Sequence, residues 1–481
     1  MNLFVKKSIS HLIETAEGGE YQLKRSLGAL NLVSLGIGAI IGAGLFSVTG
    51  IAASENAGPA VVLSFVVAAV GCAFAGMCYS ELASMIPVAG SAYTYAYATM
   101  GEFIAWIIGW DLVLEYAVAA AMVAVSWSRY MGSFLHDFGM TIPAQLAACP
   151  FDVIMLPDGS QAHGLVNIPA MAIIAVISFL LMLGIKESAS VNDVIVLIKL
   201  AVVLTFIVVG FHYIKHSNYV PFIPPNTGSF GEFGISGIMR AAGIIFFAYI
   251  GFDTVSTAAQ ESRHPQKDIP RGIIGSLILC TVLYILFSFV LTGMLNYKLM
   301  RGDAAPVVTA ISLTPYPWLR VLINLGIVAG LTSVILVMLL GQSRIFYAMS
   351  RDGLLPKLFS DIHPQWRTPW RSNLLFMIFV SFLAGVFPIS KLAHMTSIGT
   401  LLAFIIVCAG VMVLRYSQPK LKRAYSCPCF PLFPFLGILV CLAMMTSLEQ
   451  ETWWRLLIWL VIGLIIYFTY SRFNSRLNKK S

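Results

Sequence analysis

Charge is what this chain has least of. Only 11% of its 481 residues are charged, against about a quarter in a soluble domain. Acids are the scarcer sign, with 22 Asp and Glu against 30 Lys and Arg. That excludes a soluble globular domain, and a 58% hydrophobic share excludes a disordered one. The chain has no HExxH, no GxSxG in a useful setting and no clustered metal ligands, so neither an enzyme nor a metal or cofactor site is expected. Its eight cysteines fall mostly in apolar runs, where a thiol serves as a small packing residue. Cys427 and Cys429 form a Cys-Pro-Cys without a second pair, which does not make a zinc site. The polar first 28 residues do not read as a cleavable signal, because the first apolar run starts too late and continues too long.

What the chain does have is apolar runs of about 20 residues along its whole length, with a mean hydropathy of +0.84. Short alternating strands, the mark of a membrane barrel, are missing. The reading is an all-α membrane protein with twelve transmembrane helices. The spans are predicted at 30–53, 58–85, 101–131, 166–185, 189–212, 235–260, 271–295, 317–349, 371–387, 392–413, 432–448 and 453–471. An even count puts both termini on one side. With that side cytoplasmic, inner segments hold 21 of the 30 lysines and arginines and outer segments hold 7, a strong positive-inside bias. The net charge of +8 is therefore assigned to orientation and anionic lipid, not to nucleic acid.

Two spans are loosened by glycine. Gly36, Gly38, Gly42 and Gly44 lie in GIGAIIGAGLF (36–46), and Gly251 lies in FFAYIGFD (246–253). Glycine weakens a helix by about 1 kcal/mol relative to alanine. Unwound backbone is tolerated at membrane depth only where protein or a cavity covers it. Gly42 is about 12 residues, or roughly 18 Å, from the inner end of span one, and Gly251 about 16 residues, or roughly 24 Å, from the outer end of span six. Both breaks thus fall near mid-membrane in spans that start on opposite sides. That is the pattern of inverted repeats, helices 1–5 (30–212) and 6–10 (235–413), followed by two C-terminal helices (432–471). Residues 1–29 and 472–481 are the cytoplasmic ends. For Gly36 and Gly38, close helix packing is an equal alternative.

A broken helix exposes amides at one half's start, which favour anions, and carbonyls at the other half's end, which favour cations. A zwitterionic amino acid carries both charges. Its carboxylate suits the amides of Ala43 and Gly44. Its ammonium suits the carbonyls of Ile40 and Ile41 and those of Phe247, Ala248 and Ile250.

GIGAIIGAGLFSVTG (36–50), YSELASMIPVAGSAYTYAY (79–97), GWDLVLEY (109–116), FFAYIGFDTVSTAAQE (246–261) and GQSRIFYAMSRDGLLP (341–356) together resemble the amino acid–polyamine–organocation transporter superfamily. The nearest branch is that of the cationic amino acid transporters and their bacterial homologues. The resemblance covers about 30–415. It implies the 5+5 inverted-repeat fold with helices 1 and 6 broken, and an L-amino acid held at Ile40, Gly42, Ala43, Gly44, Phe247, Ala248 and Ile250. At position 43 relatives often carry a hydroxyl; Ala43 keeps the amide alone.

Lys199 lies about ten residues into span five, in VNDVIVLIKLAVVL (191–204). A charge there costs at least about 2.5–3.5 kcal/mol on insertion, and such groups usually mark a function. In related proton-coupled transporters a lysine at this place occupies the space of a sodium ion, so proton coupling through Lys199 is predicted. Asp111 and Glu115, four residues apart, share one face of span three. Glu115 resembles a family glutamate near the substrate cavity. It reads equally as a partner for a cationic side chain, a proton relay or a protonated structural group. Asp253 is expected to cap the inner half of helix six. Glu81 is a candidate inner-gate partner for Arg263 or Lys267. Side-chain selection is assigned to Glu115, Tyr116, Ala119, Phe246, Phe252, Ser333 and Ile335. Ile335, in GLTSVILVMLLGQSR (330–344), resembles a position that limits pocket depth, which favours small or neutral side chains.

The function expected is a secondary active amino acid permease, a proton-coupled symporter working by alternating access in the plasma (inner) membrane. An exchanger without proton coupling and a non-transporting sensor on the same fold are the alternatives. Cys149, in the loop after span three, is expected to be a free thiol and not a link to a single-span subunit. No obligate subunit is expected.

Overall fold

The computed structural model describes residues 3–9, 27–86, 92–155, 160–184, 189–303 and 305–477. Lys24, Arg25, Lys186, Lys479 and Lys480, counted above for orientation, lie outside them. The fold is a helical bundle. Among the described residues its helices of twelve residues or more are α1 (Ala29–Ile40), α2 (Val61–Met85), α3 (Glu102–Asp137), α4 (Ile168–Met182), α5 (Ala189–Phe211), α6 (Gly234–Ile245), α7 (Pro265–Met294), α8 (Pro317–Arg351), α9 (Trp370–Val386), α10 (Ile389–Ser417), α11 (Leu432–Ser447) and α12 (Gln450–Ile466); shorter ones lie between them. Among the described residues eight helical stretches are long and apolar enough to cross a membrane, and four apolar helices are shorter.

The helices sort by what their side chains permit. Around Ala117, Ala119–Ala121 and Ala124, α3 has small residues that let neighbours approach closely, and it is almost wholly enclosed. α5 and α12 turn Leu197, Val208, Ile458 and Ile465 outward, a surface suited to hydrocarbon and not to water. α3 runs along α8, α2 along α7, and α4 along α9. α12 is fastened to α3 by indole rings. Trp110 stacks on Trp459 at 4.5 Å, and each Nε1 donates to the other's carbonyl, at 2.8 and 3.0 Å.

Two differences from the sequence reading concern connections. A short helix, Ala92–Thr99, precedes α3, in a stretch read as a loop; its buried Tyr93, Tyr95 and Tyr97 explain why it folds back into the protein. The long connection after α3 carries a two-stranded antiparallel hairpin, Val153–Met155 with Gln161–His163, so the protein is not purely helical. α3 itself continues to Asp137. All eight cysteines are free thiols. Burial pushes the Cys149 thiol up to about 11, which leaves little reactive thiolate at neutral pH.

Both chain ends reach the same end of the bundle. Lys7 donates to the Asp352 carboxylate at 2.6 Å, where Tyr93 also donates at 2.6 Å, and the Arg476 amide donates to the Asp352 carbonyl. Beside them Glu102 accepts from Tyr97 at 2.7 Å and from Ser475.

The tightest backbone constraint is Gly251. Its φ is +120°, and a Cβ there would lie 2.7 Å from the carbonyl carbon of Ala39. A Gly251→Ala substitution therefore meets a forbidden backbone region and a clash at once. The expected loss is about 1–3 kcal/mol or more, read as a lower apparent melting temperature in detergent.

Candidate functional site

The two glycine-rich segments are interrupted in the structure, and they touch. α1 ends at Ile40, and Ile41 is extended, with ψ 107°. Helical turns resume at Gly44, where the Gly42 carbonyl accepts from the amides of Leu45 and Phe46 at 3.1 and 3.2 Å. α6 ends at Ile245, tightens into a 3₁₀ turn over Phe246–Tyr249, passes through extended Ile250 and the positive-φ Gly251, and restarts as Thr254–Thr257. Ile40, Ile41, Gly42, Ala43, Gly44, Phe246, Phe247, Ala248, Ile250 and Phe252 are all buried. A Cβ on Gly44 would stand 2.4 Å from Ala248 Cα, so the breaks are in backbone contact.

The exposed dipoles at this point are partly engaged. First-turn amides such as those of Ala43 and Gly44 have no partner inside their helix. The Phe247 carbonyl accepts the Ile250 amide at 3.0 Å. The carbonyls of Ile40 and Ala248 both accept from one hydroxyl, that of Tyr284 on α7, each at 2.8 Å.

The side chains assigned to selectivity divide. Phe246 and Phe252 pack on Phe404 of α10, with ring centroids 5.4 and 5.1 Å apart, and Tyr79 of α2 lies 5.7 Å from Phe252. Tyr116 donates to the Asp253 carboxylate at 2.8 Å. Asp253 does precede the restarted helix, but it makes no side-chain cap bond to that helix. Ala119, Ser333 and Ile335 are buried, yet the α8 side chain nearest Gly42 is Val334, 3.2 Å from where a Cβ would stand. Glu115 is buried with one carboxyl oxygen that has no hydrogen-bond partner among the described residues. Both oxygens of Asp111, which faces Gly399, are in the same position.

Lys199 is fully buried. Its Nζ donates to the Gly38 carbonyl at 2.5 Å, one turn before the first break, and its stem lies against Gly330 of α8. It therefore joins α5 to α1 and α8. Gly36 and Gly38 serve packing here: a Cβ would stand 2.5 Å from Ser276 and 2.7 Å from Val196, respectively.

Glu81 corrects the sequence reading. Its partners are Arg415, at 2.9 and 2.5 Å, Arg423 at 3.2 Å and the Cys427 amide at 2.7 Å, not Arg263 or Lys267. The fork geometry of arginine suits a carboxylate with both oxygens free. The distance in sequence, more than 300 residues, hid this pairing. Tyr284, Tyr79, Val334, Phe404 and Lys7 were also missed. For Tyr284 a signal existed: a lone phenol inside an apolar span needs a hydrogen-bond partner.

A family model described as amino acid permease matches residues 27–468. The chain is 46% identical over 478 residues to a branched-chain amino acid permease of Bacillus subtilis, spanning 99% of both chains. It is 43% identical over 479 residues to a methylthioribose transporter of the same organism, spanning 99% of this chain and all of that one. It is 37% identical over 410 residues to the vacuolar cationic amino acid transporter 4 of Arabidopsis thaliana, covering 85% of this chain and 66% of that one. The chain belongs to the amino acid permease family, within the superfamily that its motifs resemble. It is a multi-pass membrane transporter of amino acids and not an enzyme.

Two substitutions test this site. Gly44→Ala drives a methyl group into Ala248 and should abolish uptake while insertion into the membrane, followed by fluorescence of a tagged chain, is retained. Glu81→Ala strands two guanidiniums that keep some access to water. The stability loss should be near the low end for a broken ion pair, about 3 kcal/mol, read by thermal unfolding.

Proposed function

We propose that this permease is a proton-coupled amino acid symporter of the plasma membrane. The observation that carries the proposal is the meeting of two helix breaks at one buried point, where the Ile40 and Ala248 carbonyls lie within reach of a single hydroxyl. In this reading the carboxylate binds at Ala43 and Gly44 and the ammonium at the carbonyls of Ile40, Ile41, Phe247, Ala248 and Ile250. Glu115, Tyr116, Ala119, Phe246, Phe252, Ser333 and Ile335, with Val334, shape the side-chain pocket. The chain crosses the membrane twelve times with both termini cytoplasmic; residues 3–9 and Ser475–Arg476 both bind at Glu102 and Asp352, which supports an even count.

The inverted repeat is supported by the packing. Matching helices 1–5 with 6–10 pairs α2 with α7, α3 with α8 and α4 with α9, and each of those pairs is in contact, as are the two broken segments. Alternating access then rocks one repeat against the other about the breaks. Lys199 carries the proton. Bound to Gly38, it holds α1 just below the break, so a change in its charge alters the segment that contacts substrate. No obligate subunit is assigned, and anionic lipids face the basic ends.

The substrate we propose is a small, neutral, apolar amino acid. Val334, Ile335, Phe246 and Phe252 supply an apolar wall, and the branched-chain permease relative agrees with that choice. A second substrate class has a specific observation behind it: the relative named as a methylthioribose transporter covers the whole chain. Such a ligand shares a small apolar end group but has no ammonium or carboxylate.

Proteoliposomes decide among these. Leucine uptake should rise when the outside is made acid, and excess 5-methylthioribose should not compete with it. Competition would move the assignment to the sugar. In Lys199→Ala the acid stimulation should vanish, while leucine still protects against thermal unfolding. Uptake by that variant with an unchanged pH dependence would reject the role of Lys199.

A further inference from the structure

Beside the Glu81 ion group two free thiols face each other. Cys78 on α2 and Cys427 in the connection between α10 and α11 are 349 positions apart in sequence, and their sulfurs stand 4.0 Å apart. Both are buried, as is Cys408 of α10, which borders Cys78 and adds a third sulfur to the spot. The Cys427 backbone is held from two sides. Its amide donates to the Glu81 carboxylate at 2.7 Å, and its carbonyl accepts from Arg415 at 2.9 Å. A loop thiol is thereby fixed opposite a helix thiol. A metal–sulfur bond is about 2.3 Å long, so one ion between two sulfurs sets them at most about 4.6 Å apart. The observed separation lies within that reach. The surrounding charge selects the ion. Glu81 meets both Arg415 and Arg423, and two guanidiniums against one carboxylate leave one positive charge over. Two thiolates around a divalent ion are neutral and leave that charge unbalanced. Two thiolates around a monovalent ion carry one negative charge and cancel it, and charge set away from water is costly unless it is compensated. Soft thiolate donors favour the cuprous ion.

We propose that Cys78 and Cys427 bind one cuprous ion and so join α2 to the α10–α11 connection. Binding forms two metal–sulfur bonds and releases the two thiol protons to water. Copper stays in its monovalent state, and no electron is transferred. Cys429, two residues beyond Cys427, is exposed and is the thiol that an arriving ion meets first. Cysteine spacing hides this site, because Cys427 and Cys429 have no second pair near them in sequence. The fold supplies the partner from α2. The site is separate from the helix breaks, so it stands whether or not the transport reading does.

The full-length protein, reduced and in detergent, is titrated with cuprous ion without oxygen and in competition with a coloured cuprous chelator. It should hold one ion tightly, with sulfur-to-copper absorption in the near ultraviolet. X-ray absorption of the loaded wild type should show sulfur ligands alone at about 2.3 Å. Cys78→Ser and Cys427→Ser should each weaken binding by about a hundredfold or more, whereas Cys149→Ser, in the connection after α3, should bind as the wild type does. Cys429→Ser should slow loading and leave the final occupancy unchanged. Copper should raise the apparent melting temperature of the wild type and not that of Cys78→Ser, and the two metal-free proteins should melt alike. Zinc should bind far more weakly than copper. A wild type that yields its copper to the chelator, nitrogen or oxygen ligands in the absorption spectrum, or tight binding that survives in both serine variants would overturn the inference.

Discussion

Everything in this protein turns on the cost of an unpaired peptide group away from water. A spanning helix can satisfy its own backbone, so interrupting one is tolerated only where something else supplies donors and acceptors. Here two interruptions are placed against each other. Gly44 and Gly251 have no side chain, and that allows the two backbones to touch; Tyr284 bridges two of the freed carbonyls. The end of one interrupted helix and the tightened turn of another meet at that point.

The rest of the bundle packs around that region. α3 is enclosed by α8, α10 and α12, and its small residues let those helices approach. Lys199 reaches from α5 to the last turn before the first break, so α5 is tied to the interrupted end of α1. At the end where the termini meet, two separate ionic groups fasten the structure. Lys7 and Tyr93 converge on Asp352, and Arg415 and Arg423 converge on Glu81. These clusters tie the chain ends, α2, α8 and α10 together at one end of the bundle.

Some of this was legible in the chain and some was not, for identifiable reasons. The breaks were legible because glycine in an apolar run contradicts its surroundings, and the cost of unwound backbone in lipid gives that contradiction only a few meanings. That Lys199 turns into the bundle was legible for the same reason: a lysine in an apolar span is not left facing lipid. The partner of Glu81 was not, because Arg263, Lys267, Arg415 and Arg423 are indistinguishable by composition, and α2 could meet any of them. That Val334 lies against Gly42 was not legible, because neighbouring residues on a helix differ by about 100° in direction, and only the packed structure sets which one faces the break. The helix Ala92–Thr99 was lost among small and polar residues whose tyrosines find their burial only once α3 and α8 are in place.

The amino-acid order by itself determined that this chain lives in a membrane, roughly where its long apolar helices lie, which two are broken, and which family it resembles. Those properties follow from hydropathy, glycine placement and local motifs, all of which act over a few turns of chain. Tertiary structure alone decided which carbonyls face each other, that a phenol from a third helix lies between them, and which arginines neutralise Glu81. Those contacts join residues hundreds of positions apart. Their selection depends on how helix surfaces interdigitate, and no local pattern carries that information.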